Sequence, residues 1–153
     1  MTNKELIEFV FYHEQDIKRA VFEKREDGCL PKTGGGGSGH CRVSDPTAQN
    51  AIRKALEVPA VIIEHGPKTC GRRNSITLRH PEKWLQTVSG VKQILNGRPA
   101  GTLLKLRYKD NLTAREICEA MHVNKVRYYA LKAYILLAAE AYAAGLGLLN
   151  TKH

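Results

Sequence analysis

The chain has 153 residues and a formal net charge of +9, carried by 24 Lys and Arg against 15 Asp and Glu. This length suffices for one core of ordinary size, or for a C-terminal domain with an N-terminal appendage. No apolar run reaches the roughly 18 residues of a membrane span, and acids interrupt the N-terminal stretch MTNKELIEFVFYHEQ, so neither a span nor a secretory signal is expected and a cytoplasmic location is.

Charge is unevenly divided. Residues 1–58 hold nine basic and nine acidic side chains, residues 59–153 fifteen and six, so the whole excess lies in the second part. That asymmetry suits a polyanionic partner, because each phosphate neutralised releases condensed counterions, although a basic surface also serves solubility alone. The four cysteines, Cys29, Cys41, Cys70 and Cys118, form no C-x-x-C pair, and without a secretory context reduced thiols are expected. His40 and Cys41 with Cys29, or His65 with Cys70, become a zinc site only by assumption, so no metal and no cofactor is expected.

In chain order, residues 4–25 predict a helix, with Leu6, Val10, Ile17 and Val21 on one stripe, Phe9, Phe11 and Tyr12 widening it, and a stop at Glu26, Asp27 and Gly28. Residues 31–43 are expected to form a Gly-rich flexible linker around PKTGGGGSG, because consecutive glycines lose too much backbone entropy to sit in a regular element. Gly34, Gly36 and Gly39 match G-x-G-x-x-G, but a helix precedes them instead of a strand, and His40-Cys41 stands where a P-loop needs Lys-Ser or Lys-Thr.

Residues 44–80 predict a helix followed by a hairpin. Ser44, Asp45 and Pro46 start the helix, Ala48, Ile52, Ala55 and Leu56 give it an apolar face, and two short strands at 61–63 and 75–78 flank a basic tip at Lys68, Arg72 and Arg73. The tip can touch a DNA backbone or remain a solvated loop. His65, Asn74 and His80 follow the order used by HNH nucleases, but the spacings are compressed and no ββα unit completes a metal site, so no enzyme activity is expected.

Residues 81–153 predict the main domain. Pro81 can open a helix without needing its missing amide proton, and Trp84, Leu85, Val88, Val91, Ile94 and Leu95 follow at helical spacing to Asn96 and Gly97. A short helix over 101–108 turns Leu103, Leu104 and Leu106 inward. Residues 112–134 then predict two helices joined by a three-residue turn. Thr113 caps the first in a capping box with Glu116, and Ile117, Ala120 and Met121 fall on its buried side. Val123 plugs the turn, His122 takes the place where Gly is usual, and Asn124 caps the second helix.

In that second helix Tyr128, Leu131, Ile135, Ala138 and Tyr142 form one stripe, leaving Lys125, Val126, Tyr129 and Lys132 on a different face. A helix-turn-helix offers the N-terminal end of its second helix to base edges in the major groove. Lys125 can reach guanine acceptors or phosphate, Asn124 adenine or its own helix amide, Val126 a thymine methyl, Tyr129 phosphate or base, and Lys132 phosphate. Arg127, Arg115, Arg72 and Arg73 complete the candidate DNA-binding set. The alternative is an ordinary helical hairpin with a solvated basic face.

Thr113, Glu116, Ile117, Met121, Val123 and Asn124 match the pattern T-x-E-E-I-A-x-x-L-G-V-S, and the segment resembles region 4 of sigma-70-type factors. From Asp45 to the C-terminus, with Pro81-Glu82-Lys83-Trp84, Leu106-Arg107-Tyr108 and Tyr128-Tyr129, the chain resembles the phage ArpU/RinA family of transcriptional regulators. The resemblance implies a phage or prophage activator of late genes that binds double-stranded DNA and contacts host RNA polymerase. The expected fold is mainly α, multi-helix, with a C-terminal helix-turn-helix and a small β-hairpin. A homodimer or higher oligomer is compatible with the apolar C-terminal segment. The chief competing function is a small terminase-like subunit that gathers DNA for packaging.

Overall fold

These periodicities are realised in a computed structural model that describes residues 2–29, 47, 51, 55, 57–64 and 75–149. The fold is mainly helical, with a small two-stranded antiparallel sheet. The elements are α1 (Asn3–Tyr12), α2 (Glu14–Cys29), β1 (Ala60–Glu64), β2 (Ser75–Arg79), α3 (Pro81–Ile94), α4 (Pro99–Leu104), a π-helical turn (Lys105–Lys109), α5 (Ala114–Met121) and α6 (Lys125–Gly145). The expected linker at 31–43, most of the helix at 44–58 and the basic hairpin tip with Lys68, Arg72 and Arg73 lie outside the described residues, as do His65, Asn74, Cys41 and Cys70. No described helix is long and apolar enough to cross a membrane. Nor do the described residues bring three or more His, Cys, Asp or Glu side chains together in a way that could hold a metal ion.

The chain divides into two units, Gln15–Pro81 and the combination of Met1–Glu14 with Glu82–His153. In the first of these, β1 and β2 pair antiparallel from Ala60 opposite Arg79 to Glu64 opposite Ser75. Alternation turns Val61, Ile63 and Leu78 inward, where they are buried, and leaves Ile62 outward. Ile17 and Val21 of α2 are buried as well. The amide of His80 donates to Pro59 O at 2.8 Å and closes the open end of the pair.

The single helix expected over 4–25 is instead two, interrupted at His13, whose amide still donates to Phe9 O at 2.9 Å. The break follows from where the apolar faces go: Ile7, Val10 and Phe11 belong to one unit, Ile17 and Val21 to the other. The aromatic run Phe11, Tyr12 and His13 is also poor in helix propensity and gives way there.

In the unit that holds the C-terminal half, α3 buries Trp84, Val88, Val91 and Thr87, whose hydroxyl is satisfied by donation to Lys83 O at 3.0 Å. Leu85 is only half-buried and Ile94 is exposed, at the edge of the expected stripe. Pro99 opens α4, which buries Ala100, Leu103 and Leu104. The helix expected over 101–108 changes character after Leu104: the amide of Asp110 reaches Lys105 O at 3.2 Å, a five-residue step, and Leu106 is half-buried. Side-chain periodicity carries no signal for such a widened turn.

Along α6 the buried positions are Tyr128, Leu131, Ile135, Leu136, Ala139 and Ala143, while Ala138 and Tyr142 of the expected stripe are half-buried. The seam steps by four after Leu131 because the straight helix repeats every 3.6 residues and drifts from a three-four alternation. On α5 the seam is narrower than expected: Ile117 is buried, Met121 half-buried and Ala120 exposed.

Two glycines respond differently to a methyl group. A Cβ on Gly101 would sit 2.2 Å from Leu95 O, a backbone atom with no room to yield, whereas at Gly145 it would meet nothing within 4 Å. Gly101→Ala should therefore cost about 1–3 kcal/mol through overpacking. Gly145→Ala should be neutral or stabilise by up to about 1 kcal/mol. Urea titration of both variants checks the contrast, and equal midpoints would contradict it.

Candidate nucleic-acid interface

The turn between α5 and α6 is built from backbone requirements first. Thr113 accepts from the amide of Glu116 at 3.4 Å, and Glu116 Oε2 accepts from the Thr113 amide at 2.8 Å and hydroxyl at 2.7 Å, completing the capping box. These bonds hold Glu116 below the ordinary carboxylate range, the side-chain bond from Thr113 foremost and the backbone bond second. His122 adopts φ 53 and ψ 42, the left-handed conformation expected where Gly is usual. The amide of Val123 then donates to Cys118 O at 3.0 Å, the six-to-one bond that ends a helix around a left-handed residue. Asn124 Oδ1 accepts from the Arg127 amide at 2.8 Å, so of the two roles open to this side chain the structure uses the cap.

The first turns of α6 leave an open surface. Val126 keeps 78% and Tyr129 60% of its accessible area, and Lys125 and Arg127 are exposed beside them. No acid occurs on α6 before Glu140, so these cations add to the positive end of the helix dipole without internal compensation. On α5, Arg115 is exposed but paired with Glu119 at 3.0 Å. Arg72 and Arg73 lie outside the described residues. Lys105 and Lys109 are two further exposed cations, on the π-helical turn that leads to α5.

Lys132 does not join the open face. It is half-buried, and its ammonium lies 2.6 Å from Glu8 Oε1 on α1. The reason is geometric: two turns beyond the tip, this side of α6 is where α1 packs. Around the start of α6 is a set of groups that periodicity alone did not bring together. Arg107 Nη1 donates to the Tyr128 phenol at 2.6 Å, Nη2 lies 4.0 Å from Glu8, and the guanidinium carbon is 5.8 Å from the Tyr12 ring centre and 5.6 Å from that of Tyr108. Tyr108 stacks on Phe11 at 5.0 Å and meets Tyr12 edge-on at 4.8 Å. Burial disfavours the Arg107 cation, and the neighbouring Tyr12, Tyr128 and Tyr108 more than offset it, so its pKa lies above the ordinary value.

Burial first, and the Glu8 carboxylate second, push the Tyr108 phenol well above the usual tyrosine range. The only advance signal for this cluster was the Leu106-Arg107-Tyr108 stretch among the residues that carry the family resemblance. Comparison of the chain with models of known families, with curated proteins and with solved structures finds no match.

Two outcomes follow. Removing the α6 cap with Asn124→Ala should lower stability by about 1 kcal/mol, measured by denaturant titration, and a gain would contradict the cap. Because the folded pKa of Tyr108 exceeds the unfolded one, the native state holds the phenolic proton longer. The associated stability is complete below pH about 10 and is lost as pH rises from there through the folded value. Ultraviolet titration should show a late-titrating phenol that Tyr108→Phe removes.

Proposed function

We propose that the protein is a sequence-specific transcriptional regulator that reads double-stranded DNA with the first two turns of α6. One observation carries this: at the capped, acid-free end of α6, Val126 and Tyr129 remain largely exposed between Lys125 and Arg127. A solvated basic face does not call for a valine and a tyrosine grouped at its capped, cationic tip. A groove-reading helix does, because a thymine methyl needs an apolar partner and base edges and phosphates need donors. In this reading Lys125 donates to guanine acceptors or phosphate, Val126 meets a thymine methyl, Tyr129 bonds base or phosphate, and Arg127 pairs with phosphate. Asn124 acts through the helix amide that it caps. No catalytic residue and no cofactor enters.

Placement at promoters rests on the resemblance to sigma region 4 and to the phage ArpU/RinA regulators, which supports activation of late phage or prophage genes together with contact to host RNA polymerase.

Selection of bound sites from random duplexes, followed by footprinting at the best site, tests the proposal. Lys125→Ala and Tyr129→Ala should each weaken binding to that site by about 1–3 kcal/mol while leaving random duplex less affected. Arg127→Ala should weaken all sequences alike and reduce the salt slope by about one. Equal losses on selected and random duplex for Lys125→Ala and Tyr129→Ala would sink the base-reading assignment. A closed ring that gathers duplex without sequence preference would replace regulation with packaging.

A further inference from the structure

Two cations and one phenol gather around one carboxylate oxygen away from the reading face. Glu8 Oε1 lies 2.6 Å from Lys132 Nζ, 3.2 Å from the Tyr108 phenol that donates to it, and 4.0 Å from Arg107 Nη2. Arg107 in turn donates to the Tyr128 phenol at 2.6 Å. Tyr128 and Lys132 stand one turn apart on α6, so α6 is gripped twice from the same side, once directly by Glu8 and once through Arg107.

A single anchor leaves a helix free to swing about it, whereas two anchors one turn apart restrain both its rotation and its tilt. The apolar contacts of Tyr128, Leu131 and Ile135 attract without direction. A close ion pair to a fixed carboxylate at Lys132 and the directional Arg107–Tyr128 hydrogen bond decide between nearby settings of the same packed helix. The lever is short: Lys125 is seven residues from Lys132, about 10 Å at 1.5 Å per residue, and each residue position turns by about 100°.

We propose that Glu8 is a positioning residue for α6, fixing the rotational setting of its N-terminal turns through Lys132 and through Arg107 to Tyr128, so that α1 is an integral part of the reading unit. The effect on duplex recognition rests on α6 being the recognition helix; the effect on α6 itself does not.

The competing account of the same carboxylate is plain electrostatics, in which its negative charge only weakens attraction for DNA. Glu8→Gln and Glu8→Ala remove that charge equally, but only Gln keeps an oxygen that can accept from Lys132 and Tyr108. The full chain, both variants and Lys132→Met, which keeps bulk but removes one anchor, are titrated on selected and random duplexes at one salt concentration. Amide hydrogen exchange at residues 125–129 is measured without DNA.

Positioning predicts that the ratio of selected to random affinity falls about tenfold in Glu8→Ala and stays within about twofold of the parent in Glu8→Gln. Exchange at 125–129 accelerates in Glu8→Ala and not in Glu8→Gln. Should Glu8→Ala fail to fold, Lys132→Met takes its place, with the same fall in ratio and the same faster exchange expected. Identical ratios and identical exchange in Glu8→Gln and Glu8→Ala overturn the proposal, as does a Lys132→Met variant that changes neither. If the parent chain shows no sequence preference, the DNA reading fails by itself. Exchange then decides the role of Glu8: faster in Glu8→Ala than in Glu8→Gln supports it, equal rates overturn it.

Discussion

Arg107 cannot give up its charge, so a fold that draws its guanidinium partly out of water must offer it acceptors and ring faces. Those come from three places in the chain. Tyr12 and Glu8 arrive from α1, Tyr108 from the same π-helical turn, and Tyr128 from α6. Glu8 and Tyr108 are separated by 100 residues, yet a direct hydrogen bond joins them. The N-terminal helix is thereby tied to the C-terminal helices although α2 and the hairpin, which follow it in the chain, belong to the other unit. Arg107 Nε is buried without an acceptor among the described residues, and the ring faces of Tyr12 and Tyr108 take up part of that deficit.

The long α6 divides its work along its length. Beyond Leu131 it fills the core with Ile135, Leu136, Ala139 and Ala143, and at Gly90 the α3 backbone comes so near that a Cβ would lie 2.3 Å from the Tyr142 ring. The first two turns bury only Tyr128 and Leu131, and everything else there faces outward. The packed C-terminal part holds the helix, and its exposed, positively charged N-terminal turns are the part that the proposed DNA reading uses.

The backbone concentrates its uncommon conformations where helices begin or change direction. His80, Asn111 and His122 all have positive φ, near 50°, at the approach to α3, before the α5 cap and between α5 and α6. Asn tolerates the left-handed region and His does so at some cost, of order 1 kcal/mol each. The cost is met by the bonds that the turns make possible, such as His80 to Pro59 and Val123 to Cys118.

Much of this was written in local order. Thr113 with Glu116, Asn124 ahead of Lys125, Pro81 before Trp84 and the alternating Val61 and Ile63 name their elements because capping, proline geometry and side-chain period act over a few residues. The exposed tip at Val126 and Tyr129 was legible for the same reason, being whatever the buried stripe leaves over. The interruption at His13, the π-helical turn, the capture of Lys132 by Glu8 and the Arg107 cluster were not. A helix break that sends two halves of one apolar stripe to different units has no local signature. Whether a lysine stays open or meets a carboxylate more than a hundred residues away depends on which surfaces the packed helices bring together. Local sequence determined which segments are helices and where they start; tertiary packing decided which charges face the solvent, because burial and ion pairing are set by neighbours in space.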